Sequence, residues 1–132
     1  MSIFQQFNLN MIPDSAPVVV HVNQYDEGAG RLVIHLYDGE TPYTPSSGAT
    51  AIIQGSKPDG KGFDYDATLN DSVVTADLTK QMTAVCGDVR TQIVITEGDD
   101  VTGTFVFILA VMLYMHPRRR SQYFLQFLLL SP

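Results

Sequence analysis

The stretch "VVVHVNQYDEGAGRLVIHLYDG", residues 18–39, constrains the fold more than any other part of the chain. Val18, Val20 and Val22 alternate with Val19, His21 and Asn23, and Leu32, Ile34 and Leu36 alternate with Val33, His35 and Tyr37. A helix would scatter such a pattern around its circumference, whereas a strand sends alternate residues to one face. The β-branched side chains favour the same answer. Gly28-Ala29-Gly30 between the runs predicts a hairpin, and pairing symmetric about Gly28 sets Val20 opposite Leu36 and Val22 opposite Ile34. His21 then faces His35 on the other side of the ribbon.

The rest of the chain repeats this grammar. "GETPYTPSSG" is a loop whose two prolines keep it out of a central strand. "ATAIIQGS" is a short strand, and "KPDG" is a turn with Pro58 preset for the first corner and Gly60 free to take positive φ. "GFDYDATL" sets Phe63, Tyr65, Ala67 and Leu69 against Asp64, Asp66 and Thr68, the mark of a half-buried strand. "NDSVVTADL" adds a strand after an Asn-Asp turn. "TKQMTAVCG" breaks the alternation, with Met82 and Val85 at helical spacing, and reads as one helical turn or a crossover corner. "DVRTQIVIT" and "TGTFVFILAV" are strands joined across "EGDD". The expectation is an all-β, antiparallel, immunoglobulin-like sandwich of seven or eight strands with one short helical turn. A chain of 132 residues supports one such core.

Charge narrows the function. Residues 1–100 hold all 14 acids and five bases, a net of −9, while the last 32 residues hold only Arg118, Arg119 and Arg120. Phosphate-backbone recognition needs clustered Lys and Arg, so the acidic body argues against nucleic acid as a partner. The amino terminus has no basic start, apolar run or cleavage site, so no signal peptide is expected. Cys86 is the only cysteine, which excludes an intrachain disulfide and fits a small buried residue.

Candidate chemistry is sparse. The proposed ribbon brings His21 and His35 side by side as two metal ligands, but zinc needs a third and usually a fourth, and none is nominated. The plain alternative is a half-exposed pair of histidines. Asp64 and Asp66 share a strand face, with Asp71 nearby, yet acids on surface strands commonly serve solubility and edge protection. Asp26-Glu27 and Asp99-Asp100 lack the spacing of a calcium loop. No nucleophile elbow, phosphate loop or dinucleotide fingerprint occurs. Neither a catalytic residue nor a cofactor is expected. Tyr25, Tyr37, Tyr43 and Tyr65 are the candidate aromatic residues for a ligand or partner surface, including host cell-wall saccharide.

From "GATAIIQGSKPDGKGF" through "VVTADLTKQMTAVCGDV" to "GTFVFILAV", after a hairpin ending "HLYDGETPY", the chain resembles the amino-terminal domain of the phage baseplate upper protein. The resemblance covers about residues 5–111, and its most specific element is the T-x-Q-M-T-A-V-x-G corner. It implies a β-sandwich in which Met82 and Val85 cap the core and Gly87 turns the chain into the next strand. It also implies a non-catalytic structural role, fastening a receptor-binding or fibre component to the baseplate, usually in a trimeric homo-oligomer. The location it implies is the virion, after assembly in the bacterial cytoplasm beside other baseplate and tail proteins. A carbohydrate-binding sandwich that touches the host surface is the alternative.

The chain then divides at residue 112. Residues 1–111 form the expected sandwich domain, and residues 112–132, "MLYMHPRRRSQYFLQFLLLSP", form an apolar and basic tail without an acid. Members of the family continue instead into a polar, acidic linker. The twelve apolar positions before Pro117 fall short of the roughly 20 that a bilayer-crossing helix needs, so no membrane span is expected. Three readings of the tail stand: an extra strand or short helix folded back on the domain, an oligomer contact, and a translated frameshift beginning near Met112, which the abrupt change of composition favours.

Overall fold

The computed structural model describes residues 3–12, 16–24 and 30–113. Among them run nine strands: β1 (Ile3–Asn10), β2 (Val19–Asn23), β3 (Gly30–Asp38), β4 (Thr41–Pro42), β5 (Thr50–Ser56), β6 (Gly62–Asn70), β7 (Val73–Asp77), β8 (Gly87–Glu97) and β9 (Asp100–Met112). They form one continuous path, β1-β3-β7-β6-β5-β8-β9-β2, with β4 paired to β3. The all-β sandwich class read from the sequence is thus observed, with two differences of detail. β1 pairs with β3 and β2 with β9 in parallel, so the sheet is mixed. The corner at residues 79–86 contains turns and bends but no helix.

Strand β6 joins the two layers. Gly62–Ala67 pair with β5, and Thr68–Asn70 pair with β7, so the path curls into a half-barrel. Its concave side carries Leu32, Ile34 and Leu36 of β3, Val74 and Ala76 of β7, and Ile53 of β5. Facing them are Ile93 and Ile95 of β8 and Phe105, Phe107 and Leu109 of β9. These residues fill the core because alternation along each strand points them to one side.

The predicted hairpin about Gly28 is not formed. Val19–Asn23 align with Ile108–Met112, while Arg31–His35 align with Asp77–Val73 of β7. Alternation defines which face of a strand is apolar but not which neighbour shares the ladder. Val20, Val22, Leu32, Ile34 and Leu36 are all buried, so the faces were read correctly even though the partner was not. Residues 25–29, the expected turn, lie outside the described residues. Strand β1 had no counterpart in the sequence reading; its weak alternation amounts to Phe7 and Leu9 packing inward between exposed Asn8 and Asn10.

Turn chemistry was legible. The Gly60 N–H reaches the Lys57 carbonyl at 2.9 Å with Gly60 at φ +85°, and the Lys61 N–H reaches Asp59 Oδ1 at 3.0 Å. Asp71 takes φ +54° in the Asn-Asp turn, and Gly98 takes φ +64° between Glu97 and Asp100. Short polar side chains and glycine tolerate this left-handed region. Gly55 answers a different need. The Phe63 ring lies across it on the paired strand, and a Cβ there would sit 2.2 Å from the ring.

Gly55→Val should therefore displace Phe63 and destabilise the domain by about 1–3 kcal/mol, measured by denaturant unfolding. Met82 is fully buried, so Met82→Ala should cost about 2–5 kcal/mol. Unchanged unfolding midpoints for both variants would refute this account of the core.

Candidate functional site

The corner between β7 and β8 gathers more specific contacts than its lack of regular structure suggests. The Thr79 carbonyl accepts the Met82 N–H at 3.1 Å, and the Thr83 hydroxyl at 3.4 Å. Those bonds drive Met82 into the core between the layers. Three outside groups then hold the loop. Lys57 Nζ donates to the Gln81 carbonyl at 3.3 Å, the Tyr65 hydroxyl donates to Gln81 Oε1, and Gln24 Nε2 donates to the Ala84 carbonyl at 2.9 Å. Gly87 leaves the corner at φ +119°, with the Pro58 ring 3.0 Å from where a Cβ would stand. Val85 is only half-buried, so Met82 carries the capping role expected of the pair. The residue types of this motif serve architecture.

The candidate tyrosines are not brought together. Tyr25 lies outside the described residues. Tyr43 is buried edge-on to Phe105, with ring centroids 5.3 Å apart, and its hydroxyl donates to the Thr102 carbonyl at 3.3 Å. Tyr65 stacks on Phe63 and is tied to Gln81. Tyr37 lines an open groove of about 720 Å³, together with Asn8, Met11, Glu40, Thr104 and Val106. The groove was missed from sequence because its walls come from three distant segments.

His21 and His35 do not form the expected pair, since β2 and β3 share no ladder. The His21 carbonyl accepts Gln5 Nε2 at 2.7 Å, and His35 Nε2 lies 3.4 Å from Gln6 Oε1. No group of three or more potential metal ligands occurs among the described residues. Asp64 and Asp66 stand on the outer face of β6, where Gln54 Nε2 donates to Asp64 Oδ2 at 3.3 Å. Gln92 Nε2 continues that row to Gln54 Oε1 at 3.0 Å. This is a cross-strand polar ladder, with Asp64 held as an acceptor. Cys86 is a half-buried free thiol. Among the described residues, no helix is long and apolar enough to cross a membrane.

With this geometry in view, the solved structures offer a match. The N-terminal domain of phage TP901-1 ORF48 superposes with a TM-score of 0.64 over 82% of this chain and 97% of that one, at 11% identity. The two share a fold. The resemblance to the amino-terminal domain of the phage baseplate upper protein, drawn from the sequence, is borne out at that level. No family model matches the chain, and no curated protein does.

Glu97, on the β8–β9 turn, holds the loop before β5. The Ser46 hydroxyl and then its backbone N–H, which lies 3.1 Å from Glu97 Oε1, keep this exposed carboxyl below the usual carboxylate range. A carboxyl depressed in the folded state stabilises above its unfolded pKa, and that contribution is lost as pH falls through the folded value. Glu97→Gln should therefore speed amide exchange at Ser46 at neutral pH, with the difference from wild type vanishing in acid. An equal difference at both pH values would rule out the carboxylate as its cause.

Proposed function

We propose that this chain is a non-catalytic structural module of a phage or prophage tail, fastening a receptor-binding or fibre component to the baseplate. The observation that carries the reading is a coincidence of two signals. An ordered set of motifs resembles one phage family, and the fold matches an N-terminal domain from a phage protein over nearly all of that domain's length. The chemistry agrees with a scaffold. Thr79, Gln81 and Thr83 of the 79–87 corner are engaged in holding the chain, and the rings of Tyr43 and Tyr65 pack within the domain.

In this reading the half-barrel is a rigid block whose outer strands and loops meet neighbouring tail proteins. The module is made in the bacterial cytoplasm and becomes part of the virion. Sheet edges and apolar surface are the physical means of such docking. The saccharide-binding alternative has less support, because Tyr43 is buried and Tyr65 is stacked on Phe63 and tied to Gln81.

Virions purified from a host that produces this chain are expected to contain it in fixed stoichiometry, with immunogold label at the tail tip. Finding it only in the free lysate protein, by quantitative mass spectrometry, would refute the proposal. A glycan array with the full chain is expected to stay blank; binding to wall saccharides would favour the alternative.

A further inference from the structure

Strand β6 is paired on one side only over most of its length. Gly62–Ala67 bond to β5, whereas the ladder with β7 on the other side stops at Thr68 and Thr75. Backbone bonds near the ends of these ladders fix where each residue's polar groups point. The Lys57 N–H reaches the Lys61 carbonyl at 2.9 Å, so Lys61 faces β5, and with it Phe63, Tyr65 and Ala67. The alternate residues, Asp64 and Asp66, turn their N–H and C=O groups toward β7.

The other wall follows the same parity. The Leu78 N–H reaches the Gly30 carbonyl at 3.0 Å, and the Leu36 N–H reaches the Ser72 carbonyl at 2.8 Å. Val74 and Ala76 therefore face β3, while Val73, Thr75 and Asp77 face β6. Continuing the register would set Asp66 opposite Asp77, and that rung does not form. Like charges directly opposite destabilise a rung, which is a physical reason for the strands to part here. The corner helps to keep them parted. Tyr65, on the inner side of β6, and Lys57 both hold Gln81, so the chain after Leu78 is tied toward the core instead of along β6.

We propose that the β6 edge at Asp64 and Asp66 is a docking site for an extended, basic segment of a partner protein, added as a strand. Among the described residues no strand pairs with this edge. An unpaired edge supplies main-chain bonds, and the side chains beside it choose the partner. The choice here follows from charge. Asp64 and Asp66 are exposed on the outer face, with Asp77 across the gap, so an incoming strand meets carboxylates at alternate positions. Lys or Arg at alternate positions complements them. A second copy docked through the same edge would set acid against acid, so the row that recruits a basic strand also repels this chain's own kind. The inference rests on strand register and charge, and not on a phage role.

Amide exchange by NMR on the full chain tests it, with acetyl-Lys-Val-Lys-Val-Lys-amide as the probe. In the free chain the Asp64 and Asp66 amides should exchange on the order of tenfold faster or more than those of Phe63 and Tyr65. Equal protection means that the edge is already taken, and overturns the inference. Adding the peptide should slow Asp64 and Asp66 and leave Tyr65 unchanged. The same peptide methylated at every backbone nitrogen, or with Glu in place of Lys, should not do so. The double variant Asp64→Asn, Asp66→Asn should weaken binding of the Lys peptide by roughly threefold or more, with slow amides in β5 and β8 reporting that it is folded. Should that variant unfold, the two control peptides on wild type decide alone. No slowing with the Lys peptide overturns the inference, as does equal slowing with either control or an unchanged affinity in the folded variant.

Discussion

Among the described residues no helix covers the apolar face of the sheet, so the sheet covers itself. That constraint organises this protein. Each long strand among the described residues sends its most deeply buried side chains to the concave face, and among those residues that face is covered by the opposite wall of the same sheet. Curling is made possible by β6, which pairs with β5 over its first part and with β7 over its last. Phe63, Tyr65, Ala67 and Leu69 of that strand line the bend, and Gly55 yields room for the Phe63 ring. Right-handed twist accumulates along the path and brings its two ends toward each other.

Closure by curling leaves two weak places, and the chain treats them differently. At the β7–β8 corner a nine-residue excursion without regular hydrogen bonding crosses the end of the core. It is secured by Met82 from within and by Lys57, Tyr65 and Gln24 from outside. At the seam between β1 and β9, side-chain contacts close one end and leave the other gaping. The first is a solved packing problem; the second is left as a groove among the described residues.

The fold is shared with a phage protein domain at 11% identity, so few matching residues are needed to keep it. Most surface positions of such a sheet accept many residues, so sequence drifts. The positions that set the curl are few: a glycine under an aromatic ring, a turn such as Lys57-Pro58-Asp59-Gly60, and the corner that sends Met82 inward. Those are also the places where the sequence resemblance was most specific.

The sequence by itself determined the all-β class, the inward faces of Val20, Val22, Leu32, Ile34 and Leu36, and the turns at Gly60, Asp71 and Gly98. These depend on local quantities: alternation, β-branching, and the φ range a residue tolerates. Only the tertiary structure decided that β2 pairs with β9 rather than β3, that His21 and His35 part company, that Tyr43 is buried, and that Tyr37 meets Thr104 and Val106 at an open groove. Strand partnership is a competition among all apolar faces in the chain for one shared interior, and alternation within any one strand carries no record of which neighbour wins it.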